Sequence, residues 1–122
     1  MNDLKAFFRG SRSGLTSTFE DTRPLEAPRE VIFRFALIAA EECRFKVRIS
    51  NQKVGFIRLR TRTSFWSWGE YVDIKITEAG VVRIKSRCVL PTQLVSWGKN
   101  RGNVQRLFEI IEQEVALEQL SR

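Results

Sequence analysis

Arg44-Phe45-Lys46-Val47-Arg48-Ile49 alternates cationic and apolar side chains without a break, and Gly55-Phe56-Ile57-Arg58-Leu59-Arg60-Thr61-Arg62 resumes the same period after a turn at Asn51-Gln52. Period two is the signature of a strand with one buried face, because successive side chains on a strand point to opposite sides. Tyr71-Val72-Asp73-Ile74-Lys75-Ile76 repeats the pattern, Glu78-Ala79-Gly80 makes a hairpin turn, and Val81 to Cys88 is the fourth segment of the series. Four such segments joined by short connections predict an antiparallel meander.

Outward from the meander the period lengthens to that of a helix. From Arg29 to Glu42, Val31, Ile32, Phe35, Leu37, Ile38 and Ala39 make a wide apolar face, and Pro28 fits the first helical position, where its missing N–H is not needed. Upstream, Leu15 to Phe19 (LTSTF) has the Thr and aromatic content of a short strand, and Pro24 and Pro28 punctuate the turn that follows. Residues 1–14 read as a flexible leader. Downstream, Pro91 to Arg101 is a connector, Asn100 or Asn103 is placed to cap a helix, and Val104, Leu107, Phe108, Ile111 and Val115 follow helical spacing. The order β-α-β-β-β-β-α predicts one α+β domain over residues 15–122, an antiparallel four- to five-stranded sheet with two helices on one face. Its core is expected to contain Phe35, Val47, Ile49, Ile57, Leu59, Val72, Ile74, Ile76, Ile84, Leu107, Phe108 and Ile111.

Composition narrows the function classes. A chain of 122 residues that is 43% hydrophobic and 29% charged is ordinary for one globular domain. Its longest apolar run, Val31 to Ala40, is broken by Arg34 and falls far short of the ~20 residues of a membrane span. Met1-Asn2-Asp3-Leu4-Lys5 opens no secretory signal, so a cytoplasmic protein without a transmembrane segment is expected. The absence of histidine removes the commonest general base and the commonest metal ligand. Cys43 and Cys88 lack CxxC spacing and read as buried free thiols. There is no Gly-rich phosphate loop, and alternation puts Glu70 and Asp73 on opposite faces, so they are not an acid–base pair. Neither catalysis nor a cofactor is expected.

The net charge of +7 is unevenly spread. Residues 44–106 hold 14 Lys and Arg against only Glu70, Asp73 and Glu78, so the positive charge belongs to the meander. If Phe45, Val47 and Ile49 face the helices, then Arg44, Lys46 and Arg48 face away, as do Arg58, Arg60 and Arg62, then Lys75, then Arg83, Lys85 and Arg87. Val54, Phe56, Tyr71 and Val81 share that outer face, and Asp73 is its sole acid. Like charges directly opposite one another in a sheet cost up to ~1 kcal/mol per pair, so the face is stable only if screened or covered by something anionic. Seven of the ten cations are Arg, whose planar fork suits phosphate and carboxylate. Three readings stay open: a solvated polar face, a binding site for nucleic acid, anionic lipid or another polyanion, and a homo-oligomer contact through the sheet.

All three tryptophans fall in two segments, Ser64-Phe65-Trp66-Ser67-Trp68-Gly69-Glu70 and Thr92-Gln93-Leu94-Val95-Ser96-Trp97-Gly98-Lys99-Asn100. Trp66, Trp68 and Trp97 are candidate walls of a pocket for an apolar ligand, or else large aromatics that close the open end of a small core.

The same segments carry a resemblance. Ser67, Trp68, Gly69, Glu70, Thr92, Gln93, Trp97, Gly98, Asn100 and Asn103, set between a strand pair and a terminal helix, look like a group of small uncharacterised bacterial proteins and distantly resemble the DUF1499 family over roughly residues 15–118. Ser96 departs from the pattern, which has an acidic residue before the second Trp-Gly. The resemblance implies the fold; the family has no assigned activity, so it implies no catalytic residue.

Overall fold

A computed structural model describes residues 18–62, 69–89 and 97–121, with Trp97 described for its backbone alone. The elements are β1 (Thr18–Pro24), α1 (Arg29–Glu42), β2 (Lys46–Asn51), β3 (Phe56–Arg60), β4 (Glu70–Ile76), β5 (Val81–Cys88) and α2 (Trp97–Leu120). The five strands form one antiparallel sheet in the order β1-β5-β4-β3-β2. The last four strands are the meander that the two-residue period predicts, and β1 closes its free side against β5. Both helices lie on one face, α1 over β2 and β4 and α2 over β1, β5 and β4. Ile57, Leu59, Val72, Ile74, Ile76, Val82 and Ile84 from the sheet meet Ile32, Phe33, Phe35, Val104, Leu107, Phe108 and Ile111 from the helices in one core.

Helix α1 keeps the bounds its periodicity predicts, with Pro28 one place earlier than expected, as the N-cap residue at φ −62° and ψ 150°. Its exit accounts for the first departure in the basic series. Arg44 N–H donates to Glu41 O and Phe45 N–H to Ala40 O, the paired bonds of a Schellman turn, and Arg44 takes the left-handed conformation at φ 61°. Arg44 therefore ends a helix; it is not a strand residue with an outward side chain.

Strand β1 runs further than expected: it covers Thr18–Pro24, and Pro24 is its last residue. Pro24 is tolerated because β1 is an edge strand, where a missing donor breaks no inner ladder. Residues 15–17 and the 1–14 leader lie outside the described residues. At the other end of the chain α2 starts at Trp97, so Asn100 and Asn103 sit inside the helix and do not cap it.

The principal correction concerns β2. Val47 stands opposite Leu59 and Ile49 opposite Arg58, so Arg48 is an extra residue and the strand is bulged. A bulge inserts one residue without a partner and shifts the phase of everything after it. Ile49 accordingly shares the outer face with Arg58 and is 46% exposed. Val47 keeps the inner phase yet is 41% exposed, because it stands at the sheet edge. Neither belongs to the core; the other ten expected core residues are buried.

Candidate functional site

Residues paired across an antiparallel ladder point to the same face, so the register arranges the outer face into rows that cross the strands. The first row runs Thr18, Arg87, Tyr71, Arg60, Lys46. The second runs Glu20, Lys85, Asp73, Arg58, Ile49, and the third Thr22, Arg83, Lys75, Phe56, Asn51. The charge follows the rows. The first carries three cations and no carboxylate, and exposed Arg62 follows just beyond the end of β3. The second balances two cations against two carboxylates. The third carries two cations.

This arrangement corrects the picture of one uniform positive surface with Asp73 as its only acid. Strand β1 brings Glu20 to the face beside Lys85, and Glu20 Oε2 lies 3.7 Å from Arg83 Nε. Arg58 is committed to Asp73 by a side-on pair, with Nε to Oδ1 at 2.7 Å and Nη2 to Oδ2 at 3.0 Å. That hydrogen bond pushes the Arg58 pKa up, against a smaller desolvation effect of the opposite sign. A neutral band thus separates the first row from the third.

Tyr71 is the centre of the first row. Its neighbour from β3, Arg60, places its guanidinium carbon 5.1 Å from the ring centre, and its neighbour from β5, Arg87, does so at 4.9 Å. Arg58 approaches the same ring at 6.0 Å and the Phe56 ring at 5.6 Å. These distances are within cation–π range, each contact worth ~0.5–1 kcal/mol at an exposed site. Such contacts offset part of the repulsion between like charges on neighbouring strands.

Of the nine cations expected to form the site, Lys46, Arg60 and Arg87 share one row, with Arg62 two residues past Arg60, beyond the end of β3. Arg58 and Lys85 fall in the balanced row, Arg83 in the third, Arg48 at the bulge and Arg44 in the helix exit. Trp66 and Trp68 lie outside the described residues, as does the Trp97 side chain. Among the described residues there is no helix long and apolar enough to cross a membrane, and no group of three or more His, Cys, Asp or Glu able to hold a metal.

On the inner face a polar cluster joins the first-row end of the sheet to α2. Glu70, 1% exposed, accepts from Thr61 Oγ1 at 3.1 Å and from Asn103 Nδ2 at 2.8 Å, while its own N–H donates to Thr61 Oγ1 at 2.7 Å. The Ser86 hydroxyl donates to Asn100 Oδ1 at 2.7 Å, and Asn100 Nδ2 reaches Cys88 Sγ at 3.5 Å. Glu70 and Asp73 do lie on opposite faces. The cluster was readable as a break in pattern: Thr61, Glu70 and Ser86 occupy the inward phase of their strands, and Asn100 and Asn103 precede Val104 and Leu107 on the apolar side of α2. Its geometry is that of a satisfied buried network, which ties elements together.

No protein-family model matches the chain, and no curated protein matches it either.

Proposed function

We propose that the protein is a small cytoplasmic binding domain whose outer sheet face holds a phosphate-bearing polyanion, single-stranded nucleic acid first among them, along the row Lys46, Arg60, Tyr71 and Arg87. The observation that carries this reading is the segregation of charge. Carboxylates accompany the cations of the second row, whereas the first carries Arg60 and Arg87 against the Tyr71 ring, with Lys46 beyond Arg60, at a sheet end that Arg62 extends. Arg guanidinium supplies paired N–H donors that match phosphate oxygens, and a row of such groups releases counterions when a polyanion lies along it. The role assigned to each residue is charge and hydrogen bonding, with no chemical step.

Self-association through this face is the weaker reading. Two copies stacked face to face would bring first-row or third-row cations of both molecules together, and like charges across an interface disfavour assembly.

The test is fluorescence anisotropy with labelled single-stranded RNA and DNA of about twenty nucleotides and with anionic vesicles, at two salt concentrations. The proteins compared are wild type, a R60A/R87A variant and a K85A control from the balanced row. The reading expects R60A/R87A to bind nucleic acid at least ten-fold more weakly, with a salt slope smaller by up to ~2, and K85A to stay within three-fold of wild type. Equal binding by wild type and R60A/R87A, or no nucleic-acid binding at low salt, overturns it. Vesicle binding without nucleic-acid binding reassigns the row to lipid.

A further inference from the structure

The two edges of the sheet are built differently. At the β1 edge the Thr22 N–H donates to Asp21 Oδ1 at 2.9 Å, and two places on, in the same phase, Pro24 has no N–H to offer. That edge is closed by its own residues. At the other edge β2 pairs with β3 alone among the described residues, and all six of its residues are exposed. An edge strand leaves the N–H and C=O of alternate residues without a ladder partner. Val47 and Ile49 are both β-branched, are 41% and 46% exposed, and fall on opposite sides of the strand because of the bulge at Arg48. We propose that β2 takes up an added strand, an extended acidic segment of another protein, by a mode of binding separate from the polyanion row.

Charge selects the occupant. The stretch from Lys46 to Val54 carries Lys46, Arg48 and Lys53 and no Asp or Glu. None of the three is ion-paired among the described residues. Glu41 and Glu42, the nearest carboxylates in sequence, belong to α1 and precede the turn at Arg44. Cations and a bulge on an edge strand guard it against pairing with its like. Two copies of β2 laid side by side would bring these cations together, and like charges facing each other across a sheet are destabilising. The same guard favours a strand whose carboxylates fall opposite Lys46 and Arg48. Strand addition draws affinity from main-chain hydrogen bonds and selectivity from alternate side chains, and Val47 and Ile49 offer it an apolar contact on each face. The edge is also held in shape before a partner arrives. Asn51 Oδ1 accepts from the N–H groups of Lys53 and Val54 at 3.1 and 3.4 Å, and Arg29 of α1 donates to Lys53 O at 2.9 Å and to Ile76 O at 3.1 Å. An edge already ordered loses little freedom on binding.

The probes are three labelled peptides of about nine residues: one alternating Glu with Val and Thr, the same peptide with Lys for Glu, and the Glu peptide methylated at every backbone nitrogen. Each is titrated into wild type and a K46E/R48E variant by fluorescence anisotropy, and backbone amide exchange is followed by NMR. Wild type is expected to bind the Glu peptide at least about ten-fold more tightly than either of the others, with exchange slowed in β2 and unchanged in β1. K46E/R48E, whose substitutions fall at exposed positions, should reverse the preference and favour the Lys peptide; its NMR spectrum reports that it is folded. A folded K46E/R48E that keeps the wild-type preference overturns the inference. So does binding of the methylated peptide within about three-fold of the Glu peptide, because charge alone would then account for it and the polyanion reading would stand. Failure of wild type to bind the Glu peptide at ~1 mM overturns it too. A peptide-free wild-type dimer with protected β2 amides would give the edge to a second copy and overturn it as well.

Discussion

Asn103 Nδ2 donates to Glu70 Oε1 at 2.8 Å, joining the second turn of α2 to the first residue of β4 around a carboxylate that is 1% exposed. The same amide reaches Ser86 Oγ at 3.3 Å, so one side chain spans two strands and a helix. Removing it withdraws a donor from a buried carboxylate oxygen. Hydrogen bonds to charged groups contribute ~1.5–3 kcal/mol, and an acceptor left short of partners costs more than the bond alone. N103A is therefore expected to lose ~1.5–3 kcal/mol in urea unfolding, whereas Q105A, at an exposed position on the same helix, should stay within ~0.5 kcal/mol of wild type. Equal stability of the two variants would show that the Glu70 cluster contributes nothing to the fold.

The helix exit offers a gain. Arg44 holds φ 61° at a position where glycine is the usual residue, and left-handed backbone costs other residues ~1–2 kcal/mol. R44G removes a cation that lies off the sheet and keeps both turn hydrogen bonds, which are made by backbone. The expected outcome is a higher urea midpoint, equivalent to ~0.5–1 kcal/mol, with polyanion affinity within two-fold of wild type. A lower midpoint would show that the Arg44 side chain holds the exit together.

Two glycines separate close approach from mere permissiveness. Gly55, at φ +68°, has Ile76 O only 2.2 Å from where a Cβ would stand, and its carbonyl accepts from Ile76 N–H at 2.7 Å. G55A forces a backbone apart and is expected to cost at least ~2 kcal/mol. Gly102 lies within α2, with nothing within 4 Å of the corresponding site. G102A should stabilise by ~0.5–1 kcal/mol, because glycine in a helix interior costs that much relative to alanine. Melting curves of the two variants that shift in the same direction would contradict this contrast.

The period of two along β3, β4 and β5 made their phase legible from sequence, since each carries a consistent run of apolar residues on one side. Strand β2 looked equally regular. Its bulge is set by pairing with β3, a relationship between residues distant in sequence that no local pattern encodes. The cations could likewise be assigned to a face but not to rows. Rows depend on which residues stand opposite, and the acid that balances the second row, Glu20, arrives on a strand separated from β5 by the whole meander. Tyr71 was visible as an outward aromatic, but its place between Arg60 and Arg87 follows from the β3–β4–β5 register alone.

Ile49 and Ile74 test that register most directly, because their local sequence contexts are alike and their structural positions are opposite. Both follow a charged residue in an alternating strand. Ile74 lies on the central strand, fully buried between Ile57 on β3 and Ile84 on β5. Ile49 follows the bulge on an edge strand, faces outward opposite Arg58, and is 46% exposed. Truncating a buried Ile to Ala removes packed methyl groups and leaves a cavity, at ~2–5 kcal/mol. Truncating Ile49 removes little buried surface, so its cost should be below ~1 kcal/mol. In urea melts followed by tryptophan fluorescence, I74A should shift the midpoint far below wild type and I49A hardly at all. Comparable losses for both would mean that Ile49 points inward and that β2 carries no bulge. Lys46, fixed before the bulge opposite Arg60, would keep its place in the first row either way, and only the residues after Arg48 would change face.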